Sequence, residues 1–274
     1  MRPLNFRGSG QTDYGLASYT VRDVWRNVSA AHGELLDHLV RFPMDRIRLS
    51  RALSRKNTPL LVSLGCGRTV EPGWIGLDLR NGPSIYRCDL RRPFPFADGT
   101  VDGLLAEHSV EHLLFDDISP FLKECVRVLK PGAPLRIVSP DATLIAELLI
   151  EATERTERQL VFERDLHKWS QDSLLALRSA NRLAHQWGRH QSLLTPEGVV
   201  QMLERVGFGD AQVVPVTETR NFSSVPGTHM KKFPDSATEA FAVEAVRAAD
   251  ASQSQPSDGA ARSRTRVTLP SHRP

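Results

Sequence analysis

Glycine and acidic residues stand at the points where predicted strands of this chain end. Gly65-Cys66-Gly67 follows the apolar run 60–64, and Asp78 ends the next apolar run. Glycines let the backbone approach a ligand without a Cβ in the way, and a carboxylate at a strand end can accept both hydrogen bonds of a ribose diol. The pair therefore predicts a ligand that contains adenosine.

The segment 107–112 carries groups that can move protons. It reads Glu-His-Ser-Val-Glu-His, so Glu111 follows Glu107 at the i+4 position, and His112 follows His108 at the same spacing. On a helical turn, each like pair would share one face. Two histidines at this spacing are a conceivable metal pair, but no third ligand is evident in the sequence, and we expect no metal.

Alternating strands and helices must position these residues. Strands are predicted at 60–64, 74–79, 85–88, 101–106, 135–138 and 212–216, with a strand or a helix at 240–246. Helices are predicted at 45–53, from an N-cap at Asp117 or Ser119 to Lys130, and from an N-cap at Thr195 to Gly207. This order is typical of an α/β fold with a doubly wound, mostly parallel sheet, which binds ligands at the C-terminal ends of its strands.

Composition divides the chain into three parts. Residues 1–57 are predicted to form an N-terminal arm and helical cap, and residues 58–247 the main domain, with a charge-rich helical insertion at about 142–190. The Arg and Glu residues of the insertion are predicted to form a solvated face. Residues 248–274 have almost no apolar side chains, so we expect a disordered tail.

One connection in the predicted sheet is unusually short. Residues 68–73 separate the glycine turn from the second strand, which leaves no room for a packed crossover helix. One side of the ligand pocket is therefore expected to be open. We predict that helices within residues 20–40 cover it.

Charge and hydropathy exclude several classes of protein. The 274 residues are 40% hydrophobic with a net charge of +3, which gives no case for a nucleic-acid binder. No apolar run reaches bilayer length, and the first residues lack a signal-peptide core, so a cytoplasmic location is expected. The three cysteines lack CxxC spacing, so neither a disulfide framework nor a zinc site is indicated. The oligomeric state leaves no trace in the sequence.

Five segments follow one another in a specific order: LVSLGCG, GWIGLDL, RCDLRRPFPFADGTVDGLLAEHSVEHL, FLKECVRVLKPGAPLRIVSPD and LTPEGVVQMLERVGF. Over about residues 58–215, the chain thereby resembles class I S-adenosylmethionine-dependent methyltransferases, in particular the methyltransferase type 11-like group. The resemblance implies a Rossmann-like methyltransferase fold, S-adenosyl-L-methionine as cofactor, and transfer of its methyl group. The acceptor is not identified, and we expect a small molecule or a sugar.

The resemblance also implies which residues contact the cofactor. Asp78 would bind the ribose hydroxyls, Leu79 would pack on the adenine, and Asp89 would accept from the exocyclic amine. The chain departs from the family pattern at Ser63, where an acidic residue is frequent, and at Thr69, where glycine is. The full set implied to bind the cofactor is Gly65, Cys66, Gly67, Asp78, Leu79, Asp89, Leu90 and Glu107.

Methyl transfer from a sulfonium needs mainly proximity and orientation, because the leaving group is already good. A general base is needed only if the acceptor must lose a proton. The catalytic candidates are His108, which we favour as a base, His112, which is more typical of a structural partner, and Asp141. Further candidates for the acceptor pocket are His167, Trp169 and His190.

Two other functions stay open on the sequence alone. One is a module that binds the cofactor without turning it over. The other is an NAD-linked or nucleotide-sugar enzyme of the same sheet class, against which the missing third glycine of the G-x-G-x-x-G pattern argues.

Overall fold

The computed structural model describes residues 41–54, 59–150, 153–168, 174–228, 231 and 237–249. Three predictions therefore lie outside the described residues. They are the helices within 20–40 that were expected to cover the 68–73 connection, the disordered tail beyond residue 249, and a pocket position for Trp169.

Seven strands form one sheet. Their order across the sheet is β3-β2-β1-β4-β5-β7-β6, and every neighbouring pair is parallel except the two that involve β7. The doubly wound, mostly parallel sheet predicted from the sequence is confirmed. The strands are β1 (Leu61–Leu64), β2 (Ile75–Asp78), β3 (Ile85–Arg87), β4 (Gly103–Glu107), β5 (Pro134–Pro140), β6 (Phe208–Val214) and β7 (Ala240–Arg247).

The strand β7 settles the ambiguous element near the C-terminus. It runs antiparallel between β5 and β6, and its first six residues are buried. Because both faces are covered, the residues do not alternate between apolar and polar, and the periodicity could not separate strand from helix. Its buried Glu244 forms an ion pair of 2.6 Å with the equally buried Arg136 of β5.

Six α-helices lie between or beside these strands in the described part of the chain. They are α1 (Phe42–Leu53), α2 (Phe115–Val128), α3 (Ala142–Ile150), α4 (Glu154–His167), α5 (Leu175–His185) and α6 (Pro196–Val206), joined by short 3-10 turns at Val110–His112 and Gln186–Gly188. None of them is long and apolar enough to cross a membrane.

The two predicted helix caps had different outcomes. In α6, Thr195 accepts from the backbone of Gly198 at 3.1 Å, and Gly207 ends the helix in a left-handed conformation, as predicted. The prediction of a cap at Asp117 or Ser119 was wrong. The helix α2 begins at Phe115, without a side-chain cap, and continues through Pro120 in its second turn. Its apolar face is buried against the core, and this packing outweighs the one backbone bond that the proline removes.

The insertion is helical, as predicted, but the expectation of a solvated charged face was wrong for its central residues. Glu163 of α4 is fully buried and accepts from Arg182 of α5 at 2.6 Å and from Ser179 at 3.1 Å. Arg182 also pairs with Glu239, at the start of β7. A charge that is paired across helices can be buried, so this network fixes the insertion to the sheet.

Candidate functional site

The turn after β1 lies close against Ser109, which follows β4. Gly65 adopts a left-handed φ of +67°, and its backbone N–H donates to the carbonyl of Leu77 at 2.7 Å. A Cβ added at Gly65 would collide with the Cβ of Ser109. Gly67 has a similar φ of +66°, but open space surrounds its missing Cβ. Gly65 is thus required by both conformation and space, whereas Gly67 is required by conformation alone.

The carboxylate of Asp78 faces this turn from the end of β2. One oxygen accepts from the backbone N–H of Gly67 at 2.8 Å, and the other accepts from that of Arg80 at 2.9 Å. A carboxylate offers about four lone pairs, so each oxygen keeps capacity for one more donor. Beside it, the Leu79 side chain is 64% exposed at the rim of a cleft.

Asp89, which follows β3, is more heavily engaged. Its carboxylate accepts from the Arg91 backbone at 3.0 Å and from the Arg91 guanidinium at 2.9 and 2.8 Å. The hydrogen bonds and charge of Arg91 hold the pKa of Asp89 below its ordinary value. Leu90 lies next to it and lines the same cleft.

Two cavities open along the C-terminal edge of the parallel strands. The larger, of about 820 Å³, is lined by the strand ends and by the segment 108–114. The smaller, of about 230 Å³, lies behind the glycine turn. Both are lined by Gly65, Gly67 and His108, so they meet at that point. Residues that line the smaller cavity include Ser63, Cys66, Thr69, Glu71, Leu105, Glu107 and Thr228.

The segment between β6 and β7 closes the side of the pocket that the short 68–73 connection was expected to leave open. The backbone N–H of Thr228 donates to Glu107 at 2.8 Å, and that of Gly227 donates to Glu71 at 3.1 Å. Phe222 stacks on Trp74, with ring centroids 6.0 Å apart. The cover therefore comes from a part of the chain that is more than a hundred residues distant in sequence.

Cys66 also faces the smaller cavity. Burial, together with the charge of Asp78, raises the pKa of this thiol to about 12. The thiol therefore stays protonated at neutral pH and lines the cavity as a small neutral group.

His108 and Glu111 form a pair at the junction of the two cavities. The His108 Nδ1 lies 3.4 Å from a Glu111 carboxylate oxygen, and Glu111 is 2% exposed. Burial alone would lower the pKa of His108, but contact with the Glu111 carboxylate and its charge raise it above the ordinary value. Burial would likewise raise the pKa of Glu111, but contact with His108 lowers it.

The like residues of 107–112 do not share a helical face, because the segment is not one continuous helical turn. Glu107 still belongs to β4, and His108 takes a left-handed φ of +50° before the 3-10 turn begins at Val110. After this change in direction, His108 lies at the junction of the two cavities. His112 instead approaches His190, with ring centroids 5.2 Å apart.

The segment 189–192 is fixed against 111–113 by hydrogen bonds. The backbone N–H groups of Gln191 and Ser192 donate to the Glu111 carbonyl at 2.8 and 3.1 Å. The Ser192 hydroxyl donates to the Leu113 carbonyl at 2.7 Å, and the His112 ring contacts the Arg189 carbonyl at 3.0 Å. These bonds form one wall of the larger cavity, which Arg189 and Gln191 line together with His112.

Asp141 and His167 lie apart from the residues that line these two cavities. Asp141 accepts from the backbone and hydroxyl of Thr143, at the start of α3, and forms an ion pair of 2.5 Å with Arg155. His167 lies 3.6 Å from Glu163, within the insertion. The structure thus places His108 and His112 at the cleft, with His190 packed against His112, and separates Asp141 and His167 from it.

Several residues of the site were missed from the sequence. Glu71 and Thr228 line the smaller cavity, and Ser109, Arg189 and Gln191 line the larger one. Each is a common polar residue in a loop, and its position depends on bonds to distant parts of the chain. No local spacing marks them.

A family model described as a methyltransferase domain matches residues 74–137, from the start of β2 into β5. No curated protein matches the chain. Solved structures similar to it include an S-adenosylmethionine-dependent methyltransferase from Archaeoglobus fulgidus, at 15% identity and a TM-score of 0.41, over 79% of this chain and 99% of that one. Another, from Mesorhizobium loti, has 18% identity and a TM-score of 0.42, over 74% and 98%.

A third similar structure is the 1,6-didemethyltoxoflavin-N1-methyltransferase of Burkholderia thailandensis, solved with S-adenosylhomocysteine. It has 14% identity and a TM-score of 0.38, over 87% of this chain and 94% of that one. The family match spans the strand ends at Asp78, Asp89 and Glu107. The match, which covers residues 74–137, and the strand order of the sheet indicate a methyltransferase domain of Rossmann-like fold that uses S-adenosylmethionine as cofactor.

Proposed function

We propose that this enzyme transfers a methyl group to a small-molecule or sugar acceptor bound in the larger cavity, next to His108. The observation that carries the proposal is that the two cavities meet at the glycine turn. Their volumes, about 230 and 820 Å³, together fit a cofactor and a second molecule of modest size, since ligand sites commonly measure roughly 300–1,000 Å³.

In this proposal the cofactor's adenosine lies in the larger cavity and its methionine end in the smaller one. Asp78 binds the ribose diol with the lone pairs that Gly67 and Arg80 leave free. The exposed Leu79 gains an apolar cover from the adenine ring. The backbone and the guanidinium of Arg91 together donate three hydrogen bonds to the Asp89 carboxylate. One lone pair therefore remains for the exocyclic amine.

Glu107 supplies the carboxylate that the family pattern has at the position of Ser63. Both residues line the smaller cavity, and Glu107 is held there by the backbone N–H of Thr228. A negative side chain at this end of the cavity complements the ammonium group of the methionine part. Glu71, which also lines the cavity, is already neutralised by Lys231 at 2.5 Å.

The bound cofactor supplies a methyl group on a positively charged sulfur. The chain's own part is to hold the acceptor in line with that methyl and to exclude water from the junction. His108 is favoured among the three catalytic candidates, because it lines both cavities. His112 lines the larger cavity as a wall residue. For Asp141, we propose a structural role at the start of α3, where Thr143 and Arg155 engage it.

The acceptor side has a mixed surface. Leu113 and Leu114 provide apolar contacts, and Asp117, Arg189 and Gln191 provide polar ones. Such a surface suits a molecule with both a ring or chain and several polar groups, as small metabolites and sugars have. No nucleic-acid partner is expected, and the cytoplasmic location expected from the sequence stays a prediction.

The experiment is calorimetric titration of the enzyme with S-adenosylhomocysteine and, separately, with NAD. We expect saturable binding of the first at one site and no binding of the second. Release of S-adenosylhomocysteine is then followed across a panel of small-molecule and sugar acceptors. Tighter binding of NAD would overturn the cofactor assignment, and binding without turnover on the whole panel would favour a binding module.

A further inference from the structure

Three side chains beside the larger cavity converge although the sequence separates them. Glu111, His112 and His190 each place one potential ligand atom within 4.8 Å of the other two. The pair considered from the sequence was His108 and His112, without a third ligand, and no metal was expected. His190 reaches them because the hydrogen bonds of Gln191 and Ser192 hold its loop against the Glu111 carbonyl.

Both imidazoles have the same hydrogen-bond arrangement. The Nδ1 of His112 lies 3.0 Å from the Arg189 carbonyl, and the Nδ1 of His190 lies 2.7 Å from the Leu183 carbonyl. A carbonyl only accepts, so each Nδ1 carries the proton, and each neutral ring has its lone pair on Nε2. A backbone carbonyl on the far nitrogen is the usual support of a metal-binding histidine.

Two polar atoms of this cluster are buried without a hydrogen-bond partner. The Nε2 of His190 is buried without one, and so is one carboxylate oxygen of Glu111, whose contact with His108 is long at 3.4 Å. Burying unpaired polar atoms is costly, so two of them next to each other indicate a missing partner.

We propose that Glu111, His112 and His190 form a binding site for one divalent transition-metal ion of the zinc class. Two imidazole nitrogens and a carboxylate are a donor set that zinc accepts, with a fourth position left open. Tetrahedral zinc with bonds of about 2.0–2.1 Å places its ligand atoms about 3.4 Å apart, so small side-chain rotations close the site. The other Glu111 oxygen keeps its contact with Ser139 at 3.3 Å.

The open position would face the larger cavity, because His112 lines that cavity. An ion there binds an oxygen of the acceptor, such as a carboxylate, hydroxyl or phenolate, and lowers the pKa of a hydroxyl that it binds. This last step rests on the proposed methyltransferase function, whereas the metal site itself does not. Metal titration needs neither cofactor nor acceptor, so failure of one proposal leaves the other measurable.

The test is titration of tag-free, chelator-treated protein with Co²⁺, followed by its visible absorption, and then displacement by Zn²⁺. The wild type is expected to bind one equivalent with a saturable absorption band. His112→Ala and His190→Ala should weaken metal binding by more than about 100-fold, since each removes a direct ligand. The matched control His185→Ala, which removes an exposed histidine outside the cluster, should bind the metal as the wild type does.

Folding of each variant is checked by its circular dichroism spectrum and its melting temperature, which need no ligand. If an alanine variant does not fold, the proposal is tested on the wild type alone, by nitrogen NMR of its histidines. Zinc should then shift the Nε2 signals of two histidines whose Nδ1 stays protonated. The proposal is overturned if the wild type binds no stoichiometric metal, if His190→Ala binds it equally well, or if those histidine signals do not move.

Discussion

The two halves of the cleft are built in different ways. The half proposed to bind the cofactor consists of strand ends that are close in sequence, from Gly65 to His108, and their backbone register positions them. The half proposed to bind the acceptor joins 111–113 to 189–192 by hydrogen bonds between residues 77 and 79 positions apart. The first half follows from the general geometry of parallel sheets, whereas the second depends on individual side chains. Cofactor binding and acceptor binding should therefore respond to different substitutions.

The largest effect is expected from Gly65→Ala. The new Cβ would meet Ser109 in a left-handed conformation, so strain of about 1–2 kcal/mol adds to overpacking of about 1–3 kcal/mol. Gly67 has nearly the same φ, but open space surrounds its missing Cβ. In Gly67→Ala, backbone strain alone should therefore lower the stability. The melting temperature and the affinity for S-adenosylhomocysteine are measured for both variants. Equal losses in the two variants would contradict the close approach of the turn to Ser109.

The next effect concerns Asp78→Ala. The change removes two charge-assisted hydrogen bonds to the ribose, which corresponds to about 2–4 kcal/mol of cofactor affinity. It also removes the acceptors of the Gly67 and Arg80 backbone groups. Calorimetry with S-adenosylhomocysteine is the measurement, and the acceptor KM should change little. An unchanged cofactor affinity would mean that the ribose lies elsewhere.

A smaller effect is expected in the acceptor half, from Ser192→Ala. Its buried hydroxyl donates to the Leu113 carbonyl at 2.7 Å, and loss of one such bond costs about 1 kcal/mol of unfolding free energy. The acceptor KM should rise while cofactor affinity stays the same. Ser224→Ala, at an exposed serine, serves as the control and should change neither quantity. A loss of cofactor affinity in Ser192→Ala would show that the halves are coupled.

The same division explains how much could be predicted from the sequence. Some features are marked by local signals, namely the glycine turn, the buried apolar runs and the caps of α6. These signals predicted the sheet and the positions of Asp78 and Asp89 at its edge. The antiparallel β7 could not be distinguished from a helix, because burial on both faces erases the period. The predicted start of α2 was wrong, because core packing outweighed the preference for a capping residue.

The acceptor half could not be predicted, for a different reason. Nothing in the spacing of His112 and His190 indicates that their rings lie 5.2 Å apart. Likewise, Gly227 and Thr228 cover the side of the 68–73 connection through bonds to Glu71 and Glu107, and no local pattern marks these contacts. Contacts of this kind depend on the completed fold, and a single sequence contains no periodic trace of them.

The most direct test of the central claim is a crystal structure of this enzyme with S-adenosylhomocysteine. The account predicts that the ribose hydroxyls lie at hydrogen-bond distance from the Asp78 carboxylate, with the sulfur at the junction of the two cavities beside His108. The amino group should lie near Glu107. A ligand bound with its ribose away from Asp78, or with its sulfur outside that junction, would contradict the account.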